Sequence, residues 1–235
     1  VQKQIDQGSA YFQLQHMLST KLQDQNRYPL KVGLIRFTNF DTEEKLAPMS
    51  LTFIRNEQNQ ITLPEAFPIK DKMFRVQEVA EFGPMDGWHM YIDPTGGGAN
   101  ADELAYGVTG FLAGRVFLAD ANGRLGGWDD DVMDWITGAV LKWRPKTIAI
   151  EKNYGNGAFA AAWLPKLRSS VDRHNRELPH DHIKHPGIEE VWESGQKELR
   201  IIDVLEPIIG AGKFVVSEDL IHSDWESCQK YSGDT

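Results

Sequence analysis

Trp88-His89-Met90-Tyr91-Ile92-Asp93-Pro94 is the stretch from which the fold can be read. Its first five residues are mostly aromatic and apolar, and Asp93-Pro94 closes them with a turn signal, so residues 88–92 read as a strand that delivers an acid at its end. Downstream, residues 103–109 and 115–119 are two more strand candidates, joined by Gly110-Phe111-Leu112-Ala113-Gly114. That spacing suits antiparallel neighbours in a hairpin. Residues 129–143 place Val132, Trp135, Ile136, Ala139 and Val140 at helical spacing. The acids Asp129, Asp130 and Asp131 suit the positive end of that helix's dipole. Thr147-Ile148-Ala149-Ile150 is a short apolar strand ending at Glu151. A helix over 158–167, a strand over 188–192, a helix over 197–209 closed by Gly210, and a short strand over 213–216 complete the series. Three antiparallel strands followed by strands alternating with helices imply an α/β fold with a mixed central sheet flanked by helices.

Residues 1–87 lack this rhythm and read as an irregular N-terminal extension. Phe12-Gln13-Leu14-Gln15-His16-Met17-Leu18 fits one short helix, and Ser50-Leu51-Thr52-Phe53-Ile54 a strand. Tyr28-Pro29-Leu30-Lys31 and Ala47-Pro48-Met49 are turn or linker signals.

Composition bounds the function classes. The chain has 235 residues, 41% of them apolar and 10% aromatic, which supports a packed core and argues against wholesale disorder. No apolar run approaches the roughly 20 residues that span a bilayer, so no membrane partner is expected. The polar start Val1-Gln2-Lys3-Gln4 has no signal-peptide core and no initiator Met, and the chain reads as a piece of something longer. One cysteine, Cys228, fits a reducing compartment. The net charge of −9 runs against phosphate binding, where Lys and Arg dominate affinity. A nucleic-acid function here must rely on local basic patches or bound metal.

Asp93 and Glu151 carry the chemistry. Each sits where a core strand gives way to a loop, and in the proposed order their strands are neighbours. Two carboxylates at one spot repel unless a cation lies between them. Mg²⁺ or Mn²⁺, hard cations that take carboxylate oxygen, would resolve this. Two such ions about 4 Å apart can activate water and stabilise the leaving oxygen of a phosphodiester. Taken singly, Asp93 also fits a turn cap before Pro94, and Glu151 a solvated strand end.

The flanking residues carry a resemblance. Asp93-Pro94-Thr95-Gly96-Gly97-Gly98 with Asp102-Glu103-Leu104-Ala105-Tyr106-Gly107 resembles the first catalytic strand of the terminase large subunits of T7-like and related tailed phages. Asn122-Gly123-Arg124-Leu125-Gly126-Gly127-Trp128 resembles their next loop, and Ile150-Glu151-Lys152-Asn153-Tyr154-Gly155-Asn156-Gly157 their second acidic motif. Residues 194–207, from Ser194-Gly195-Gln196 to Leu205-Glu206-Pro207, resemble a further family stretch. The resemblance runs over most of residues 85–216 and more thinly over 12–50. It implies an RNase H-like fold of the resolvase and integrase type, within a packaging motor that has an N-terminal ATPase and a C-terminal nuclease. The nuclease cuts concatemeric double-stranded DNA into genome lengths. Residues 1–87 are then a linker or accessory region after an ATPase that this chain lacks, and 88–235 the nuclease domain. Implied partners are DNA, the ATPase domain of the same polypeptide, the portal protein and the small terminase subunit, in the host cytoplasm during assembly. Asp93 and Glu151 carry over as ligands of two Mg²⁺ or Mn²⁺ ions. The family's third acid lies in a His-Asp-Asp helix nearer the C-terminus, and no such helix precedes Thr235, so the last catalytic helix is expected to be missing. Asp203 is the local substitute. Another RNase H-like nuclease, of the junction-resolvase or transposase type, and a non-catalytic docking module of the motor are the alternatives.

Several residues are candidate DNA or phosphate contacts. Gly96 and Gly97 would let backbone pass close to metal or phosphate, or form a plain flexible turn. Lys152 and Asn153 directly follow the second acid and fit a phosphate contact, ligand orientation or an exposed loop start. Arg124, Lys166 and Arg168 are candidate backbone contacts. The last two open a basic stretch, 166–185, with Arg173, Arg176, Lys184, His174, His180, His182 and His185, which reads first as a solvated basic loop. Its histidine spacing matches no familiar zinc pattern. Trp128, Trp135, Trp143 and Trp163 read as packing residues rather than base-stacking platforms. Pro207-Ile208-Ile209-Gly210-Ala211-Gly212-Lys213-Phe214 is not a phosphate loop, because Pro and Phe stand where Gly and Ser or Thr are needed.

Overall fold

The structure, a computed structural model, describes residues 30–63, 71–96, 102–153 and 155–221. The helix expected over Phe12–Leu18, the Tyr28-Pro29 turn, Gly97, Gly98, Tyr154 and Cys228 lie outside the described residues. In chain order the elements are β1 (Arg36–Phe37), β2 (Leu46–Thr52), β3 (Glu78–Pro84), β4 (His89–Asp93), β5 (Leu104–Leu112), β6 (Arg115–Arg124), α1 (Asp130–Trp143), β7 (Thr147–Glu151), α2 (Ala158–Glu177), β8 (Gly187–Val191), α3 (Lys197–Gly210) and β9 (Phe214–Val216). From β4 onward this is the order read from the sequence. The chain divides into two compact units, one of Val1–Pro84, Phe111–Phe117 and Ser194–Thr235, the other of Met85–Gly110 and Leu118–Glu193.

In the second unit the strands lie in the order β6-β5-β4-β7-β8. β4 runs antiparallel to β5, with Tyr91 opposite Gly107 and Asp93 opposite Ala105. It runs parallel to β7, with Met90 opposite Ile148 and Ile92 opposite Ile150. β7 and β8 are also parallel, with Glu151 opposite Val191. The sheet is therefore mixed. Side chains alternate between its faces. One face collects Met90, Ile92, Leu104, Tyr106, Val108, Ile148 and Ile150, all buried.

Helices α1 and α2 pack against that apolar face. α1 buries Val132, Ile136, Ala139, Val140 and Trp143, a stripe with helical period. α2 buries Phe159, Ala160, Trp163, Leu167 and Val171. Trp143 meets Trp88 edge to face at 5.4 Å, and Trp163 stacks on Phe159 at 5.5 Å. The tryptophans thus pack as expected. Each large apolar side chain buried this way stabilises the fold by about 1.5–3 kcal/mol. Several polar atoms in this layer pair with one another. Asp120 accepts hydrogen bonds from Tyr106 Oη at 2.9 Å and Trp143 Nε1 at 2.7 Å.

Three local expectations change. The five-residue link Gly110–Gly114 shortens to a two-residue turn, Ala113-Gly114, with φ of 50° and 72°, the conformation a tight hairpin needs. Gly110 becomes part of β5, where an added Cβ would sit 2.5 Å from Met85 Sδ and 2.9 Å from the Trp88 ring. Residues 122–124, read as loop, extend β6. Residues 168–177, read as part of a basic loop, continue α2 beyond the helix read over 158–167, with Pro165 inside it. A proline inside a helix costs about 3 kcal/mol. Burial of Leu167 and Val171 offsets it, as do two hydrogen bonds between the Asn175 side chain and the backbone of Ile183.

In the first unit β2 and β3 form a two-stranded antiparallel ribbon. Ala47-Pro48-Met49, read as a turn signal, lies inside β2 with Pro48 opposite Phe82. A two-stranded ribbon has an outer edge on each strand, where proline's missing N–H is tolerated. β1 pairs with β9 in parallel, and Val116 donates to the Lys213 carbonyl at 2.9 Å. No described helix is long and apolar enough to cross a membrane.

Trp163 donates its indole N–H to Thr137 Oγ1 at 2.9 Å, and both residues are buried. Thr137→Val keeps the shape and orphans that donor. It should lower unfolding free energy by about 1–3 kcal/mol in urea denaturation, with an unchanged denaturant slope.

Candidate active site

Ile92 lies opposite Ile150, so the next residues, Asp93 and Glu151, end two hydrogen-bonded parallel strands side by side. Both are half-buried. They share the sheet face that the α1 and α2 core does not use. Around them this face carries small side chains, Ala105 and Gly107 on β5 and Ala149 on β7. A Cβ built on Gly107 meets nothing within 4 Å, so there is open space over the sheet at that point.

Two residues that the sequence reading passed over stand at the same place. The Tyr91 hydroxyl donates to Glu151 Oε2 at 3.1 Å. Burial pushes its pKa above the usual phenol range, and the charges of Glu151, Glu193 and Asp93 push it further in the same direction. Three carboxylates therefore act on one hydroxyl, which stays protonated and remains a donor. Glu193 lies just past β8 and is held there by Asn153. The Asn153 side chain donates to the Glu193 carbonyl and accepts from the Glu193 N–H at 2.8 Å. Lys152 donates its backbone N–H to the Val191 carbonyl at 2.9 Å. The stretch after Glu151 is thereby tied to the stretch after β8. Gly157, with φ of 83°, then turns the chain into α2, where a Cβ would run into the Glu190 carboxylate.

Residues 92–214, just over half of the chain, match the family model of the bacteriophage T7 terminase ribonuclease H-like domain. The chain belongs to this family. It is 28% identical to the terminase large subunit of Enterobacteria phage T3 over 99% of its own length. It spans 37% of the length of that relative. Among solved structures it is similar to the human cytomegalovirus terminase nuclease domain, at 14% identity and a TM-score of 0.42, covering 61% of this chain and 75% of that one. It is also similar to the yeast mitochondrial Holliday junction resolvase, at 11% identity and a TM-score of 0.35, covering 57% and 68%.

Within this terminase domain the remaining candidate residues separate. Gly96 is half-buried just past β4, and Gly97 lies outside the described residues. Arg124 is exposed at the end of β6. Lys166 pairs with Asp134 at 2.9 Å and with Asp130 at 3.2 Å, so its charge joins α2 to the start of α1. Arg168 lines a cavity of about 350 Å³ with Leu164, Leu167, Asp172, His185, Pro186 and Ile188. In the basic stretch, His185 pairs with Asp172 at 3.0 Å, and His174 with the Asp181 carboxylate at 3.3 Å. Asp203 is exposed on α3, which belongs to the other compact unit. No group of three His, Cys, Asp or Glu side chains able to hold a metal occurs among the described residues.

The donors at Asp93 and Glu151 are carboxylate oxygens, the type that hard divalent cations take. Their chemistry fits Mg²⁺ or Mn²⁺, and an acidic site of this kind gains stability when a cation offsets the repulsion. Asn153 acts here as a clamp on the backbone rather than through a charge. Asn153→Ala should speed amide exchange at Glu193 about tenfold, the effect of losing roughly one net hydrogen bond. Hydrogen-exchange mass spectrometry on the folded chain reads this directly.

Proposed function

We propose that this domain is the metal-dependent endonuclease of a viral DNA-packaging terminase, cutting concatemeric double-stranded DNA into genome lengths by two-metal phosphodiester hydrolysis. One observation carries the reading. Two carboxylates, Asp93 and Glu151, close adjacent parallel strands on the open face of a sheet, inside the residues that match the terminase family. Asp93 and Glu151 would hold Mg²⁺ or Mn²⁺. When bound, such ions supply charge stabilisation to the attacked phosphate and its leaving oxygen. The chain's own residues position and shape the site. Tyr91 holds one oxygen of Glu151, Asn153 holds the backbone that carries Glu193, and the small residues of β5 and β7 leave room over the sheet.

The substrate in this reading is duplex DNA, approached through its backbone, because no described helix presents a base-reading surface of the familiar kind. Gly96, Gly97, Lys152 and Arg124 are the residues proposed to pass near phosphate. Lys166 and Arg168 sit on α2, which packs against the opposite sheet face, and carry a weaker case. The proposed setting is the host cytoplasm, with an ATPase domain on the same polypeptide and the portal protein and small terminase subunit as partners.

Asp93→Ala and Glu151→Ala proteins, shown by circular dichroism to be folded, should nick plasmid DNA in Mn²⁺ at least about 100-fold more slowly than the parent. Chelation with EDTA should abolish the parent's activity, and Mn²⁺ should restore it. Cutting by both variants at the parental rate would overturn the proposal.

A further inference from the structure

Tyr91 is not the register partner of Glu151. It lies opposite Ala149, whose small side chain gives the phenol room to reach along the face to the end of β7. There its O–H meets Oε2 of Glu151 at 3.1 Å. A glutamate at a strand end turns about three side-chain bonds, and holding it in one place costs up to about 2 kcal/mol of rotamer entropy. One donor fixed on one oxygen removes much of that freedom before any ligand arrives. It leaves the second oxygen, an acceptor with its own lone pairs, open to a cation. The donor itself is rigid. Its backbone is paired on both sides, to Gly107 of β5 and Ala149 of β7, and its ring carries only two torsions.

We propose that Tyr91 is the positioning residue of this acidic site, its hydroxyl holding Oε2 of Glu151 so that Oε1 is presented to a divalent cation shared with Asp93. The proposal rests on the reading of Asp93 and Glu151 as metal ligands. Tyr91 does not touch substrate in this role. It acts through Glu151, as hydrogen-bonding partners of metal ligands do.

The test is Mn²⁺ titration by isothermal calorimetry into the parent chain, Tyr91→Phe and Asp93→Ala, followed by plasmid nicking at varied Mn²⁺. Phenylalanine keeps the ring and its packing, and unchanged melting temperature verifies this. Tyr91→Phe should weaken Mn²⁺ binding about tenfold, the usual scale for losing such a partner. The Mn²⁺ concentration for half-maximal nicking should rise by the same factor, while the rate at saturating Mn²⁺ stays close to the parent's. Equal Mn²⁺ affinity in the parent and Tyr91→Phe would overturn the positioning role and leave the metal site standing. So would a lower saturated rate with unchanged half-saturation. Undetectable Mn²⁺ binding by the parent, or binding that survives Asp93→Ala at full strength, would overturn the metal reading itself, and Tyr91's role with it.

Discussion

The parallel pairing of β4 with β7 is the constraint on which everything else depends. Its register is set on the apolar face, where buried Met90 and Ile92 stand opposite buried Ile148 and Ile150. The strand starts are pinned as well. Lys146 donates its N–H to the Trp88 carbonyl at 2.7 Å, and the His89 ring meets the Thr147 hydroxyl at 2.7 Å. Side chains alternate with period two, so a slip of one residue would turn Asp93 onto the apolar face and away from Glu151. Burying an unpaired carboxylate there costs far more than the slip could recover. The hydrophobic core thus decides, from the opposite face of the sheet, where the acids stand.

The two faces of the same sheet follow opposite rules. On the helix side polar groups in the aromatic layer find partners, as in the Asp120 pairing with Tyr106 and Trp143 and the Trp163 bond to Thr137. On the acidic side like charges gather around Tyr91, and small residues leave space above the strands. Gathered carboxylates oppose folding, and the packed face supplies the stability that offsets them. A site arranged in this way gains most from a cation, which converts the repulsion into attraction.

Much of this was legible along the chain. Strand-to-loop transitions at Asp93 and Glu151, and the order of elements from β4 to β9, follow from local apolar periodicity and turn residues, which act over a few positions. What escaped the reading acts over long sequence separations. The helix read over 158–167 runs on to Glu177 because distant Ile183 and a buried stripe hold its second half. Lys166, a candidate phosphate contact, also pairs with Asp130 and Asp134 of α1. Asn153 directly follows the second acid, and its amide also clamps the backbone forty residues on. Pro48 looks like a turn, yet a ribbon edge accepts it.

The acids themselves are therefore a property of the sequence. Asp93 and Glu151 each stop a strand, and the motifs around them carry the family resemblance that the match over residues 92–214 bears out. Their company is a property of the tertiary structure. Tyr91 was visible as a strand residue, but its hydroxyl finds Glu151 only because β7, separated from β4 by a hairpin and a helix, returns to pair beside it. Glu193 reaches the same spot because β8 adds in parallel to β7. Local periodicity says which face a residue takes. Only the order of strands across the sheet says which other residues share that face.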